Sequence, residues 1–138
     1  MSPDRTVLFL CPHNALRSVI AAGLFDQRAG AGLRAASAGT EPDEAVNTRT
    51  LVVMQEVGVD VSGFRPQTVT REQIAAAERV ISLDCPLAPE LATAAAGKLE
   101  SWPMPDTTGQ PVDKVREVRD LIRDRVETLI AELRGGVS

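Results

Sequence analysis

Short apolar runs alternate with longer stretches whose apolar residues recur every three or four positions, and this alternation divides the chain into strands and helices. Thr6-Val7-Leu8-Phe9-Leu10 reads as a first strand. The run from Ser18 through Val19, Ile20, Leu24 and Phe25 to Arg28 reads as a helix that Ala29-Gly30-Ala31-Gly32 ends. Leu33 to Ala38 is a second strand, closed by Gly39-Thr40. After a connector at Pro42 to Val46, Asn47 to Thr50 caps a helix with Leu51, Met54 and Val57 on one face, and Gly58 stops it. Val59 to Pro66 is punctuated by Gly and Pro and reads as loop, and Thr70 with Gln73 three residues on opens a short helix by a capping box. Arg79 to Leu83 is a third strand ending at Asp84-Cys85-Pro86, Leu87 to Ala96 a short Ala-rich helix, and Lys98 to Trp102 a fourth, edge strand. Pro103 to Pro111 is too rich in proline to continue either element. The last helix is the clearest: Val112, Val115, Val118, Ile122, Val126, Leu129 and Leu133 share one face, and Gly135-Gly136 ends it.

Strands alternating with helices predict an α/β fold: one three-layer domain over residues 1–138, with a four-stranded parallel sheet and helices on both faces. Ligands of such sheets bind at the C-terminal edge of the strands, where the loops at Cys11, Gly39, Asp84 and Asp106 are expected to gather. A chain of 138 residues buries enough surface for one real core. The net charge of −4 argues against nucleic acid or an anionic membrane as partner, so any anion site has to be local. No run of about 18 apolar residues is present to span a bilayer. Met1 to Arg5 predicts no secretory signal, so the expected address is the cytoplasm, where two cysteines are reactive or buried thiols rather than a disulfide.

The chemistry concentrates in Cys11-Pro12-His13-Asn14-Ala15-Leu16-Arg17-Ser18, between the first strand and the first helix. At such a turn, loop amides and the helix dipole favour an anion, and a tetrahedral oxyanion is the natural guest. A helix N-terminus and a nearby guanidinium also favour the thiolate of Cys11, the form that acts as nucleophile. Arg17 returns toward the same point with a planar fork suited to oxyanion oxygens. Ser18 either caps the helix or donates its hydroxyl to the Cys11 sulfur. Asn14 tolerates left-handed backbone and shapes the loop. His13, the one histidine, is a loop side chain that orients or shields the site, because one His without clustered thiols makes no metal site.

The loop and its surroundings resemble the low-molecular-weight protein tyrosine phosphatase superfamily, and within it the arsenate reductase branch of thioredoxin- or mycothiol-coupled type. The superfamily mark is C-x5-R-S. The closer likeness is a Cys-x-His-Asn-Ala-x-Arg-Ser loop, matched by Cys11, His13, Asn14, Ala15, Arg17 and Ser18. Similarity continues along Ser37 to Thr40, Ile81 to Cys85, Trp102 to Asp106 and Val118 to Ile122. The resemblance implies that Cys11 attacks the central atom of the oxyanion. Loop amides and Arg17 then stabilise the equatorial oxygens, and Asp106 gives a proton to the departing oxygen.

Two reactions share that first step. A phosphatase hydrolyses phosphocysteine with water; a reductase lets another thiol attack arseno-cysteine, moving two electrons from sulfur to arsenic. Cys85 stands where the resemblance puts a reductase cysteine, although a strand-end Cys by itself is more often buried and inert. The chain has no Tyr and few aromatic rings, with Trp102 the one large candidate for a substrate wall, and a small inorganic oxyanion needs no such wall. The reductase reading is therefore preferred over the phosphatase, and over a third reading, a binding protein that holds the oxyanion without turnover. No cofactor is expected in the site. With no third cysteine, the implied reductant is external: a low-molecular-weight thiol, with a thioredoxin- or glutaredoxin-like protein as partner. Leu16 stands where the closest reductase loops tend to have Gly, and would be strained if the turn needs a positive φ. Thr107 replaces the proline that usually follows the acid.

Overall fold

The computed structural model describes residues 5–135. The Met1 to Asp4 opening and Gly136 lie outside them. Four parallel strands, β1 (Arg5–Leu10), β2 (Leu33–Ala38), β3 (Arg79–Ser82) and β4 (Leu99–Ser101), form one sheet in the order β2-β1-β3-β4. β1 is central because its apolar run serves both faces at once: Val7, Leu8, Phe9 and Leu10 are all fully buried. Alternation along the strand sends Val7 and Phe9 to one face and Leu8 and Leu10 to the other. Its register is straightforward, with Leu10 opposite Ala38 on one side and Ser82 on the other, so these strands end level and their following loops meet at one edge.

Helices cover both faces, as expected of a parallel sheet. On the Val7–Phe9 face lie α1 (Arg17–Ala29), α2 (Thr48–Gln55) and α5 (Val112–Leu133). On the other face α3 (Arg71–Ala76) and α4 (Pro89–Ala94) cover a smaller cluster built on Ile74, Val80 and Ala95. The apolar stripe of α5 is the one expected, joined by Ile130, while Val112 stays partly exposed. The capping box at Thr70 and Gln73 is present. Trp102 is buried against Phe9, ring centroids 5.8 Å apart, with its indole N–H on Glu100 at 2.6 Å. It is a packing residue beneath the sheet edge and takes no part in a substrate wall.

The expected Leu51, Met54 and Val57 all pack against the main core, and the buried face of α2 also includes Thr50 and Val53. Its buried residues are Thr50, Val53 and Met54, while Leu51 is partly buried and Val57 lies past the helix end. A polar Thr occupies the inward position because its hydroxyl has a buried partner, the carbonyl of Ala15, at 2.9 Å. This also turns the N-terminus of α2 toward the Cys11 loop.

On the outside, α2 is tied to α5 by Glu56, which accepts from Arg116 at 3.0 and 2.6 Å and from Arg119 at 2.8 Å. Hydrogen bonds from Arg116, then from Arg119, hold its carboxyl down to about 2. The folded value lies below the unfolded one, so this stabilisation is complete above the ordinary value of about 4.5 and is lost as pH falls toward 2. Urea unfolding followed between about pH 6 and pH 2 should show a loss of stability that Glu56→Gln makes shallower; parallel curves would contradict the assignment.

Candidate active site

Residues 11–18 leave the C-terminal end of β1 and enter α1, and three of their carbonyls are satisfied from outside. Pro12 O accepts from the N–H of Glu41 at 2.8 Å, and His13 O from Asp43 at 2.9 Å. Ala15 O accepts from both the N–H of Asn47 at 3.1 Å and the Thr50 hydroxyl at 2.9 Å. In a trans peptide the next N–H points opposite to the carbonyl. Tying three carbonyls outward therefore turns the N–H groups of His13, Asn14 and Leu16 toward the concave side of the loop. Asn14, at φ 49, supplies the left-handed residue that curls it. Leu16 sits at φ −140, so the replacement of Gly carries no left-handed strain; its side chain joins the core instead. As N-cap it offers no side-chain acceptor to the first turn of α1, where such orphan amides favour an anion.

The sulfur of Cys11 is held inside the loop. The Ser18 N–H donates to Sγ at 3.4 Å, and the Ser18 Oγ lies 3.1 Å away. Ser18 is therefore no N-cap; it lies within α1, its N–H donates to the sulfur, and its Oγ accepts from the Cys11 thiol, the reverse of the hydroxyl donation expected. A relay orients it. The Gln67 N–H donates to Asn14 Oδ1 at 2.9 Å, which fixes the amide so that Nδ2 donates to Ser18 Oγ at 2.8 Å. With that lone pair taken, the hydroxyl proton is free to face a thiolate at Cys11.

Arg17 stands at the rim, one Nη on Asp84 Oδ2 at 2.9 Å, and the same oxygen accepts from the Met104 N–H at 3.1 Å. Asp84 thus links the guanidinium to the start of the loop that carries Asp106. Arg17 also lines a cleft of about 250 Å³ shared with Cys11, His13, Arg49 and Asp106. Asp106 is exposed, and the Thr108 amide and hydroxyl, with a smaller contribution from Arg17, hold its carboxyl below the usual range. His13 is exposed, with Nδ1 3.1 Å from the Glu41 carbonyl and 3.5 Å from Asp43. Among the described residues no group of three or more His, Cys, Asp or Glu is arranged to hold a metal ion. A larger groove, about 590 Å³, runs between α1, β2 and residues 58–64. It includes neither cysteine nor arginine, and donors rather than volume define an oxyanion site.

Cys85 is placed differently from Cys11. Strand alternation past β3 would bring residue 85 to the face of Ile81 and Leu83, which is also the face of Cys11. Asp84 interrupts it with a left-handed φ of 59, and Cys85 packs into the opposite cluster, 4% exposed, with Thr40 Oγ1 3.8 Å from its sulfur. Burial pushes its thiol pKa up and the nearby Cys11 adds to this, against the Thr40 hydrogen bonds and Arg17, which act to lower it. It does not line the cleft.

Four residues outside the expected set shape the site: Asp84, Gln67, Thr50 and Arg49. Asp84 alone had a visible signal, an acidic residue at a strand end. Thr50 and Arg49 act on backbone carbonyls and Gln67 acts through its own N–H on the Asn14 side chain, all far away in sequence.

A parallel α/β domain that presents a Cys-x5-Arg-Ser oxyanion loop at the C-terminal edge of its sheet defines the low-molecular-weight phosphatase class. Comparison with known proteins agrees: the chain belongs to the low molecular weight phosphotyrosine protein phosphatase family, whose model matches residues 6–138. It is 33% identical to a glutaredoxin arsenate reductase of Synechocystis over 94% of this chain and 98% of that protein. A solved arsenate reductase in the phosphate binding state superposes with a TM-score of 0.80 at 34% identity, covering 93% of this chain and 98% of that one. A thioredoxin-dependent arsenate reductase from Corynebacterium glutamicum gives 0.80 at 29% identity, over 99% of this chain and 65% of that one.

Gly39, at the end of β2, passes directly under the loop. A Cβ there would meet Pro12 O at 2.5 Å and Cys11 O at 2.6 Å, both backbone atoms, whereas one at Gly63 would meet nothing within 4 Å. Gly39→Ala should therefore cost about 1–3 kcal/mol in urea unfolding. Gly63→Ala, at an ordinary φ, should stay within about 0.5 kcal/mol. Equal effects of the two would contradict the close approach.

Proposed function

We propose that the chain is a thiol-dependent arsenate reductase working through Cys11. The observation that carries this reading is the cleft: small, rich in hydrogen-bond donors, and lined by no Phe, Tyr or Trp ring, which fits a bare tetrahedral oxyanion. Relatives named as arsenate reductases at 33% and 34% identity support it.

Arsenate sits on the inward amides with Arg17 across its oxygens. The Cys11 sulfur attacks arsenic, and Asp106 protonates the departing oxygen, which leaves as water. The carboxyl of Asp106 is held low in the free site, and the negative charge of the bound oxyanion beside it acts in the opposite direction, bringing on the proton that the step consumes. An external thiol then attacks the Cys11 sulfur. An S–S bond forms, the S–As bond breaks, and its electron pair stays on arsenic, giving arsenite; a second thiol reduces the disulfide. The external thiol reaches sulfur through the open cleft, whereas Cys85 is buried in the opposite cluster. A low-molecular-weight thiol with a glutaredoxin- or thioredoxin-like partner supplies the electrons, as the names of the relatives suggest. The same loop can instead pass a phosphocysteine to water, so the phosphatase reading is the competing outcome.

Arsenate-dependent oxidation of a low-molecular-weight thiol, coupled to glutaredoxin, is measured beside para-nitrophenyl phosphate hydrolysis. Wild type should oxidise thiol only with arsenate, Cys11→Ser should fall to background, and Cys85→Ser should keep turnover. Loss of arsenate turnover in Cys85→Ser would make Cys85 the resolving thiol. Ester hydrolysis without arsenate reduction would overturn the reductase reading.

A further inference from the structure

No step above uses Arg49, a half-buried residue in the first turn of α2 that lines the cleft. Its Nη1 donates to the carbonyl of Thr107 at 2.8 Å and to that of Gln110 at 2.5 Å, and its Nε meets Asn47 Oδ1 at 3.2 Å. Asp106 immediately precedes Thr107, and its Oδ1 is bound to the Thr108 N–H at 2.9 Å. The segment from Pro103 to Pro111 has no strand or helix to hold it, so its position depends on such side-chain clamps. The same turn of α2 grips the nucleophile loop, because the Asn47 N–H and the Thr50 hydroxyl both end on Ala15 O. One turn of helix therefore joins the loop that carries the nucleophile to the loop that carries the acid.

We propose that Arg49 is a positioning residue that fixes Asp106 relative to Cys11 by clamping the two carbonyls of the acid loop. The inference rests on the proposed reaction, in which an S–As bond forms, an As–O bond breaks, and the Asp106 proton leaves with the oxygen as water. Arg49 acts through the loop and touches neither sulfur nor oxyanion in that step. Its fork is the reason for Arg here: one planar group reaches two carbonyls and Asn47 together, which the point charge of Lys does not reproduce.

The test is a double-mutant cycle on the full chain, read with arsenate and, in parallel, with phenyl phosphate, whose poor leaving group needs the proton. Asp106→Asn should lower kcat by about 10²–10⁴-fold. Arg49→Ala should lower it by about 10–100-fold, with Arg49→Lys recovering little. The double variant should fall no lower than Asp106→Asn alone, because placing the acid matters only while the acid is there. The kcat profile of Arg49→Ala should also lose the alkaline limb that reports a general acid. Iodoacetamide should label Cys11 equally fast in Arg49→Ala and wild type, showing the nucleophile loop intact. Losses that multiply in the double variant, an unchanged kcat in Arg49→Ala, or slowed labelling of Cys11 would overturn the proposal. The same non-additivity on phenyl phosphate, with no arsenate turnover, would uphold Arg49 and overturn the reductase reading. A wild type inert on both substrates would overturn both.

Discussion

The site depends on where the carbonyls of one loop go. A peptide group cannot present its N–H to a ligand unless its neighbour's carbonyl has somewhere else to point. Here the carbonyls of Pro12, His13 and Ala15 are bound by Glu41, Asp43, Asn47 and Thr50 from outside the loop. Every other feature supports that inversion. Gly39 leaves room beneath the loop, Asn14 provides its one left-handed residue, and the level ends of β1 and β2 bring the supporting segments close.

Electrostatics follow the same local logic. With a net charge of −4, the protein offers no basic field to attract an anion, so oriented amides and Arg17 have to do it at short range. Arg17 is kept in place by Asp84, an acid next to an anion site. Pairing costs part of its attraction for the oxyanion, but it fixes the guanidinium and, through Met104, the start of the acid loop. The two thiols are buried in different clusters: Cys11 at the floor of a cleft, hydrogen-bonded to Ser18, and Cys85 beside Thr40 on the other face of the sheet.

Much of this was legible in the chain. The apolar run before Cys11, the strand at Leu33–Ala38 and the seven-residue stripe of the last helix specify the sheet's centre and its largest helix, because burial on that scale leaves few alternatives. The nucleophile, its arginine and the left-handed Asn14 were also readable, since local chemistry names them. What escaped had partners distant in sequence. Thr50 and Arg49 read only as part of the helix-capping segment Asn47 to Thr50; in the structure the Thr50 hydroxyl meets Ala15 O, and Arg49 meets the acid loop 58 and 61 positions away. Cys85 illustrates another limit. Its face turns on a single left-handed residue, Asp84, which hydrophobic patterning does not reveal.

The account is tested most directly by asking whether an oxyanion shields the Cys11 sulfur. Iodoacetamide labelling followed by peptide mass mapping, with increasing phosphate or arsenate, should show Cys11 labelled ahead of Cys85 and protected in a saturable way, with the protection lost in Arg17→Ala. Labelling of Cys11 that is indifferent to either oxyanion, or preferential labelling of Cys85, would contradict it.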